Sequence, residues 1–238
     1  MKKQIFLTFF TCWTLYASAQ TFKEVSSSQL PVGLDDAVFY HITQLEKLPA
    51  SVGEARFFID SLFRQGELRT RKSLFTKELS YRFDQLERSI EVKTESGKQI
   101  YLDPKTVLYC KLYFEEHTVI FMPIILPKQK ELTFVQVIYK TPTLQLYRDI
   151  SKKVYRKIIS YRNADYVDEV KNDYHYYLRK NDTDPLTEVD IDAKSFSKAL
   201  PEKRNRIMSL FKGKKKQDLT VSKLVHIMGE LDASNKNN

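Results

Sequence analysis

Hydrophobic and polar residues alternate along the stretch RSIEVKTESGKQIYLD, residues 88–103. Ile90 and Val92 alternate with Glu91, which is typical of a half-buried β-strand. The polar turn that follows contains Gly97, and glycine readily adopts the positive φ angles of tight hairpin turns. The alternation then resumes, so this stretch predicts a β-hairpin.

Further short strands are predicted downstream of this hairpin. They are read from the stretches TVLYCKLYF, VIFMPIIL, LTFVQVIY, LQLYR, YHYYLRK and PLTEVDI. Pro123 interrupts one of them and has no N–H to donate, so that strand is expected to be bulged or at an edge there. Closely spaced short strands favour an antiparallel sheet. We therefore predict an α+β protein whose antiparallel β-rich body, a sandwich or incomplete barrel, spans residues 54–192.

The pattern changes to helical spacing near the C-terminus. Pro201 suits the first turn of a helix, and Gly213 suits its end. The predicted apolar stripe of the first helix is Ile207, Met208 and Phe211. That of the second, which Thr220 can cap, is Val221, Leu224, Val225, Met228 and Leu231. We predict a C-terminal helical pair within a basic segment, residues 193–232, and a disordered tail over 233–238.

The N-terminus, MKKQIFLTFFTCWTLYASAQ, has the order of a secretory signal. Two lysines precede about a dozen apolar residues, and a small-x-small Ala-Ser-Ala pattern follows them. We predict a signal peptide over residues 1–19, cleaved between Ala19 and Gln20, and then a linker over residues 20–53. The apolar stretch is shorter than the ~20 residues of a spanning helix, so no transmembrane helix is expected in the mature chain.

Export changes the interpretation of the basic helical pair. Its spacing resembles a DNA-binding helix-turn-helix, but an exported protein does not meet the chromosome, so we expect no nucleic-acid partner. Cleavage also removes Cys12 and leaves Cys110, which excludes an internal disulfide. Cys110 lies in an alternating run, where a buried strand position is expected rather than a reactive thiol.

Positive charge is concentrated at the C-terminus. Residues 193–238 carry 11 Lys and Arg against four acidic residues, a net charge of 11 − 4 = +7 out of +9 for the whole chain. Such asymmetry indicates contact with an acidic protein or an anionic membrane surface, although a solvated helix face is an equal alternative. The candidate contact residues are Lys203, Arg204, Arg206, Lys212, Lys214, Lys215 and Lys216.

No motif for catalysis or cofactor binding is present in the sequence. The four histidines are isolated, and there is no nucleophile elbow, phosphate loop or dinucleotide glycine pattern. The acidic loop NDTDPLTEVDID lacks the glycine of a calcium loop, so a solvated turn is expected there. We predict no cofactor, no bound metal and no catalytic residues.

The tail LPEKRNRIMSLFKGKKKQDLTVSKLVHIMGEL resembles the C-terminus of a group of exported β-rich proteins of Bacteroidota-type bacteria. In that group a Leu-Pro-(Asp/Glu)-Lys helix, a basic turn and a final helix close the chain. Leu200, Pro201, Glu202 and Lys203 match the first of these features. The resemblance implies export and a β-rich body, and it assigns no functional residue.

Together these features predict a non-enzymatic periplasmic or envelope binding protein. The alternative is a secreted hydrolase with an unrecognised active site, because catalytic groups can assemble from distant positions in a sequence.

Overall fold

The computed structural model describes residues 59–75, 79–95, 97, 99–160 and 165–233. The predicted signal peptide, its cleavage site and the predicted linker lie outside these residues, and so does the tail beyond Ala233. None of the described helices is long and apolar enough to cross a membrane.

Eleven strands form one antiparallel sheet in the described part of the chain. They are β1 (Arg64–Thr70), β2 (Leu74–Phe75), β3 (Leu79–Asp84), β4 (Ser89–Thr94), β5 (Gln99–Tyr101), β6 (Val107–Tyr113), β7 (Thr118–Ile125), β8 (Leu132–Lys140), β9 (Gln145–Ser160), β10 (Asp165–Arg179) and β11 (Thr187–Val189). Their order is β11-β10-β9-β8-β7-β6-β1-β3-β4-β5, and β2 pairs with β1. The sheet is open rather than closed into a barrel, which confirms the predicted antiparallel β-rich body.

Gly66 is the point at which β1 changes its neighbour. Arg64 and Gln65 pair with β3, whereas Gly66 to Thr70 pair with β6. A Cβ atom at Gly66 would lie 2.1 Å from the backbone oxygen of Lys111 and 2.8 Å from the ring of Tyr81, so only glycine fits here. The sheet bends at this point and brings Phe83 of β3 onto Phe121 of β7, with ring centroids 4.3 Å apart.

The long strands β9 and β10 separate from the rest of the sheet over much of their length. Pairing of β8 with β9 ends at Gln136 and Arg148. Beyond that pair, the β3–β4 turn enters the gap, and the backbone N–H of Lys152 donates to the backbone oxygen of Gln85 at 3.0 Å. Arg88 in this turn has a φ of 54°, an unusual conformation for a residue with a side chain.

Alternation along β9 distributes its side chains between separate cores. Leu146 packs in the cluster that contains the helices, and Ile150 packs with the β1–β7 region on the same face of the strand. Tyr147 points to the opposite face, where it packs with Tyr177 and Val135. One strand therefore anchors both the helical segment and the folded-over hairpins.

The C-terminal segment contains three α-helices, whereas the sequence predicted two. They are α1 (Ala193–Ala199), α2 (Arg204–Phe211) and α3 (Val221–Ala233), with single 3₁₀ turns at Pro201–Lys203 and Lys216–Asp218. Helix α1 was missed because Phe196 is its one fully buried side chain, which leaves no apolar stripe. Asp192 caps its N-terminus, and the carboxylate of Asp192 accepts the backbone N–H of Ser195 at 2.7 Å.

Several local predictions are confirmed. Cys110 is fully buried, and burial raises the pKa of its thiol well above the usual range. Gly97 has a φ of 80° in the predicted hairpin turn. Pro123 pairs with β8 on one side, and the pairing of β7 with β6 ends at Phe121, so Pro123 lies at a local edge.

Candidate interaction surface and an adjoining cavity

The basic turn, residues 212–218, connects α2 to α3 and is exposed along its whole length. Phe211 is buried on one side of it, and Leu219 packs against the helical core on the other side. Gly213 has a φ of 72°, and the backbone N–H of Lys214 closes the turn on the oxygen of Phe211 at 3.0 Å. The turn is therefore held at both ends and projects its side chains into solvent.

The lysines of the basic turn are weakly engaged. Lys214 Nζ donates to the backbone oxygen of Leu210 at 2.6 Å, and Lys216 Nζ lies 3.3 Å from Asp190 across an exposed pair. Asp218 is the acid within the turn, and its carboxylate accepts the backbone N–H of Lys215 at 3.4 Å. Exposed pairs of this kind contribute ~0–1 kcal/mol, so the positive charge remains available to a partner.

The two arginines of α2 are both exposed. Arg206 forms an ion pair with Glu230 of α3. Glu230 lies in the C-terminal part of α3, whereas the basic turn precedes the N-terminus of that helix. The grouping of Arg204 and Arg206 with the four lysines of the basic turn stays a prediction.

Lys203 does not belong to this surface. Its residue is only 8% exposed, and its ammonium donates to the backbone oxygen of Leu231 at 2.5 Å, near the C-terminal end of α3. Burial lowers the pKa of this lysine. The sequence placed Lys203 among the contact residues because it adjoins a run of cations, but the 3₁₀ turn after Pro201 directs it inward, where the carbonyl end of a helix favours a cation.

The helical segment is fastened to the sheet through Asp232, which is 8% exposed. Its carboxylate accepts hydrogen bonds from Thr143 at 2.5 Å and from Tyr139 at 3.0 Å. Burial alone would raise the pKa of Asp232, but the hydrogen bonds from Thr143, Thr141 and Tyr139 outweigh it and lower the pKa.

Two residues of the predicted apolar stripes are on the outside. Met208 is 53% exposed and Val225 is 39% exposed, whereas Ile227 is buried. Both predictions were wrong because a stripe read from spacing alone is wider than the contact that α2 and α3 make with the sheet. Met208 adds an apolar side chain to the exposed surface of α2.

A cavity that the sequence did not indicate lies where β8 and β9 separate. Its volume is 200 Å³. The described residues that line it include Gln85, Arg148, Ile150, Lys152, Asn172 and Tyr174. They come from a turn and two strands that are remote in sequence, and no local motif joins them.

The opposite face of β9 and β10 carries a network of ion pairs. Arg88 makes two hydrogen bonds to the buried Asp149, at 3.0 and 2.7 Å. His175, the cross-strand neighbour of Asp149, lies between Glu188 at 2.9 Å and Asp173 at 3.2 Å. Burial opposes protonation of His175, but the two carboxylates outweigh it and raise its pKa.

Compared with known protein families, curated proteins and solved structures, the chain gives no significant match. The resemblance to exported proteins of Bacteroidota-type bacteria therefore stays a prediction, and function has to be argued from the surface and the cavity.

Proposed function

We propose that this protein is exported and acts as a non-enzymatic binding protein of the cell envelope, and that its basic turn attracts it to an anionic membrane surface. The observation that carries the proposal is the exposed run of four lysines between Lys212 and Lys216, held by a helical segment that is packed on the sheet. The predicted signal peptide supports export.

The residue type favours lipid head groups over an acidic protein. The basic turn contains lysine and no arginine. Lysine is depleted at protein–protein interfaces and arginine is enriched, because the guanidinium makes directed paired hydrogen bonds. Lysine acts as a mobile point charge, which suits a diffuse layer of anionic head groups.

The expected attraction is weak and depends on salt. Each lysine close to an anionic surface contributes ~1 kcal/mol, so four contribute ~4 kcal/mol, equivalent to a dissociation constant of ~1 mM. The screening length falls from ~10 Å at 0.1 M salt to ~3 Å at 1 M, so the attraction should disappear at high salt. Association of this kind is reversible.

Vesicle co-sedimentation tests the proposal. The purified protein should sediment with phosphatidylglycerol-containing vesicles at low salt and not with phosphatidylcholine vesicles. Replacing Lys212, Lys214 and Lys215 by Gln should weaken this binding about a hundredfold, since ~3 kcal/mol is removed.

A matched control replaces Lys105, Lys128 and Lys130 by Gln, which removes the same charge from exposed loops of the sheet. This variant should retain most of the binding. Equal loss in both triple variants would show that net charge matters and the basic turn does not. Binding to soluble polyglutamate without binding to vesicles would contradict the membrane proposal and would indicate an acidic protein as the partner.

Export has its own test. N-terminal sequencing of the protein recovered from its native cells should begin at Gln20, and a mature chain that begins at Met1 would contradict it. No constellation of catalytic groups in the described residues favours the alternative of a secreted hydrolase.

A further inference from the structure

Met208 is an apolar residue of α2 that does not pack in the protein. It is 53% exposed, whereas Ile207 and Phe211 of the same helix are buried in the cluster that holds the helices on the sheet. Single exposed apolar side chains are common on protein surfaces and need no role by themselves. The surroundings of Met208 therefore decide what it does.

The residues one helical turn before and after Met208 are both cations. Arg204 and Lys212 stand four positions to either side of it, and residues at this spacing lie on the same side of a helix. All three are exposed. Arg206, two positions from Met208, points elsewhere and forms its ion pair with Glu230 of α3. Met208 is thus an apolar centre between two cations.

Helix α2 contains no acidic residue to balance these cations. Its other exposed residues near Met208 include Asn205 and Ser209, which are uncharged. Between Glu202 and Glu230 the sequence contains a single acid, Asp218, in the basic turn. A partner that approaches Met208 therefore meets positive charge around an apolar side chain.

Two other exposed hydrophobic side chains have carboxylates beside them instead. Tyr113 is 42% exposed, and its hydroxyl donates to Glu67 at 3.5 Å. Ile125 is 54% exposed and lines a groove together with Asp184. A carboxylate repels an anionic surface, so these positions lack what distinguishes Met208.

An anionic bilayer has the construction that complements this side of α2. Helices that lie in a membrane interface place cations among the head groups and apolar side chains at the boundary with the acyl chains. Methionine is flexible and adapts to irregular surroundings. Lys212 is both the neighbour of Met208 and the first residue of the basic turn, so attraction of the turn to head groups brings Met208 to the same surface.

We infer that Met208 inserts between the head groups of an anionic bilayer, with Arg204 and Lys212 against the phosphates on either side. Insertion rests on the proposed membrane association and adds two properties to it, an apolar contact and a fixed orientation with the exposed side of α2 towards the membrane. The charge around Met208 is continuous with that of the basic turn, which favours a bilayer over an apolar groove of another protein.

A tryptophan reporter tests insertion in the full chain. Trp13 is the one native tryptophan, so Met208→Trp in a Trp13→Phe background carries a single indole. On addition of phosphatidylglycerol-containing vesicles its emission should shift to shorter wavelength, and lipids brominated on their acyl chains should quench it. Ile125→Trp in the same background is the matched control, because Ile125 is as exposed as Met208, and its emission should stay unchanged.

Co-sedimentation of the same samples separates failure of insertion from failure of the membrane proposal. A Met208→Trp variant that sediments with the vesicles without a shift or quenching would leave Met208 facing solvent or a protein and would overturn insertion alone. Equal shifts in the two reporters would also overturn it. An unmodified protein that does not sediment at low salt would overturn the membrane proposal and insertion together.

Substitution of Met208 tests the apolar contact by affinity. Met208→Ser should weaken vesicle binding about fivefold, because roughly half of a methionine side chain no longer leaves water, whereas Met208→Leu should keep the affinity. Ile125→Ser should change it less than about twofold, and Met208→Ser should move the melting temperature by no more than about 2 °C. Equal affinities of Met208→Ser and the unmodified protein, or equal weakening by Ser and Leu, would overturn the inference.

Discussion

Lys203→Ala should destabilise the fold by about 3 kcal/mol. The ammonium is buried and donates to the backbone oxygen of Leu231 at 2.5 Å. A hydrogen bond to a charged group contributes ~1.5–3 kcal/mol, and the three lost methylenes contribute ~0.8 kcal/mol each when buried. Relief of the cost of burying the charge offsets part of this sum. The contacts of the exposed cations, such as that of Lys214 with the backbone oxygen of Leu210, are open to solvent and contribute less.

Urea denaturation followed by far-UV circular dichroism measures this loss. Tyrosine fluorescence is a second probe, because the single tryptophan, Trp13, lies in the predicted signal peptide. Lys203→Met keeps the buried stem and should recover about half of the lost stability. Lys212→Ala, in the exposed basic turn, should stay within about 0.5 kcal/mol of the unmodified protein.

The reasoning fails if Lys203→Ala and Lys212→Ala have the same stability. It also fails if Lys203→Ala leaves the stability unchanged but weakens vesicle binding as strongly as Lys212→Ala. In that case Lys203 would be a contact residue, as the sequence suggested, and its burial would be irrelevant.

Three further predictions concern the sheet and α3. Gly66→Ala should lower the free energy of unfolding, measured by urea denaturation, by about 3 kcal/mol or more, because the added Cβ would lie 2.1 Å from a backbone oxygen. Gly229→Ala should raise it by about 1 kcal/mol, because its added Cβ meets nothing within 4 Å and alanine favours the helical conformation of α3. The pKa of His175 is raised on folding, so its contribution to stability is complete below about pH 6.5 and is lost as pH rises through the folded pKa. The difference in unfolding free energy between the unmodified protein and His175→Gln should therefore shrink as the pH is raised from about 6 to about 9. A difference that grows over this interval would contradict the prediction. Arg88→Ala should lower the free energy of unfolding by about 3–5 kcal/mol at neutral pH, because it leaves the carboxylate of Asp149 buried and unpaired. In acid, where Asp149 is protonated, urea denaturation should show a smaller loss.

The strands were predictable because their information is local. Alternation around Cys110 places it in the core, and Gly97 and Pro123 constrain the backbone through their own chemistry. Such signals need no knowledge of what lies across the sheet. They gave the fold class, but they could not give the bend at Gly66, which depends on the close approach of β6.

The surface was predictable in part. Its cations follow from composition, but the inward direction of Lys203 depends on where the end of α3 lies after folding. The exposure of Met208 and Val225 similarly depends on how narrow the docked face of each helix is.

The cavity was not predictable from the sequence. It exists because β8 and β9 separate after Arg148 and a turn from the other end of the sheet enters the gap. The relevant pairing, between Gln85 and Lys152, spans residues far apart in the chain. No periodicity records such a pairing, and the unsatisfied oxygen of Gln85 is visible only once its surroundings are known.

The packing of the helices against β9, β10 and β11 limits how the role of the basic turn can be tested. Leu146, Leu178 and Val189 of the sheet are buried in the same cluster as α1, α2 and α3. Deleting the helices would expose these side chains at roughly 1.5–3 kcal/mol each, a loss comparable to the whole stability of a domain. A truncated chain would then lose vesicle binding through unfolding, whatever the lysines do. Substitutions at Lys212, Lys214 and Lys215 leave that cluster intact, so they separate attraction to a membrane from the packing that holds the turn in place.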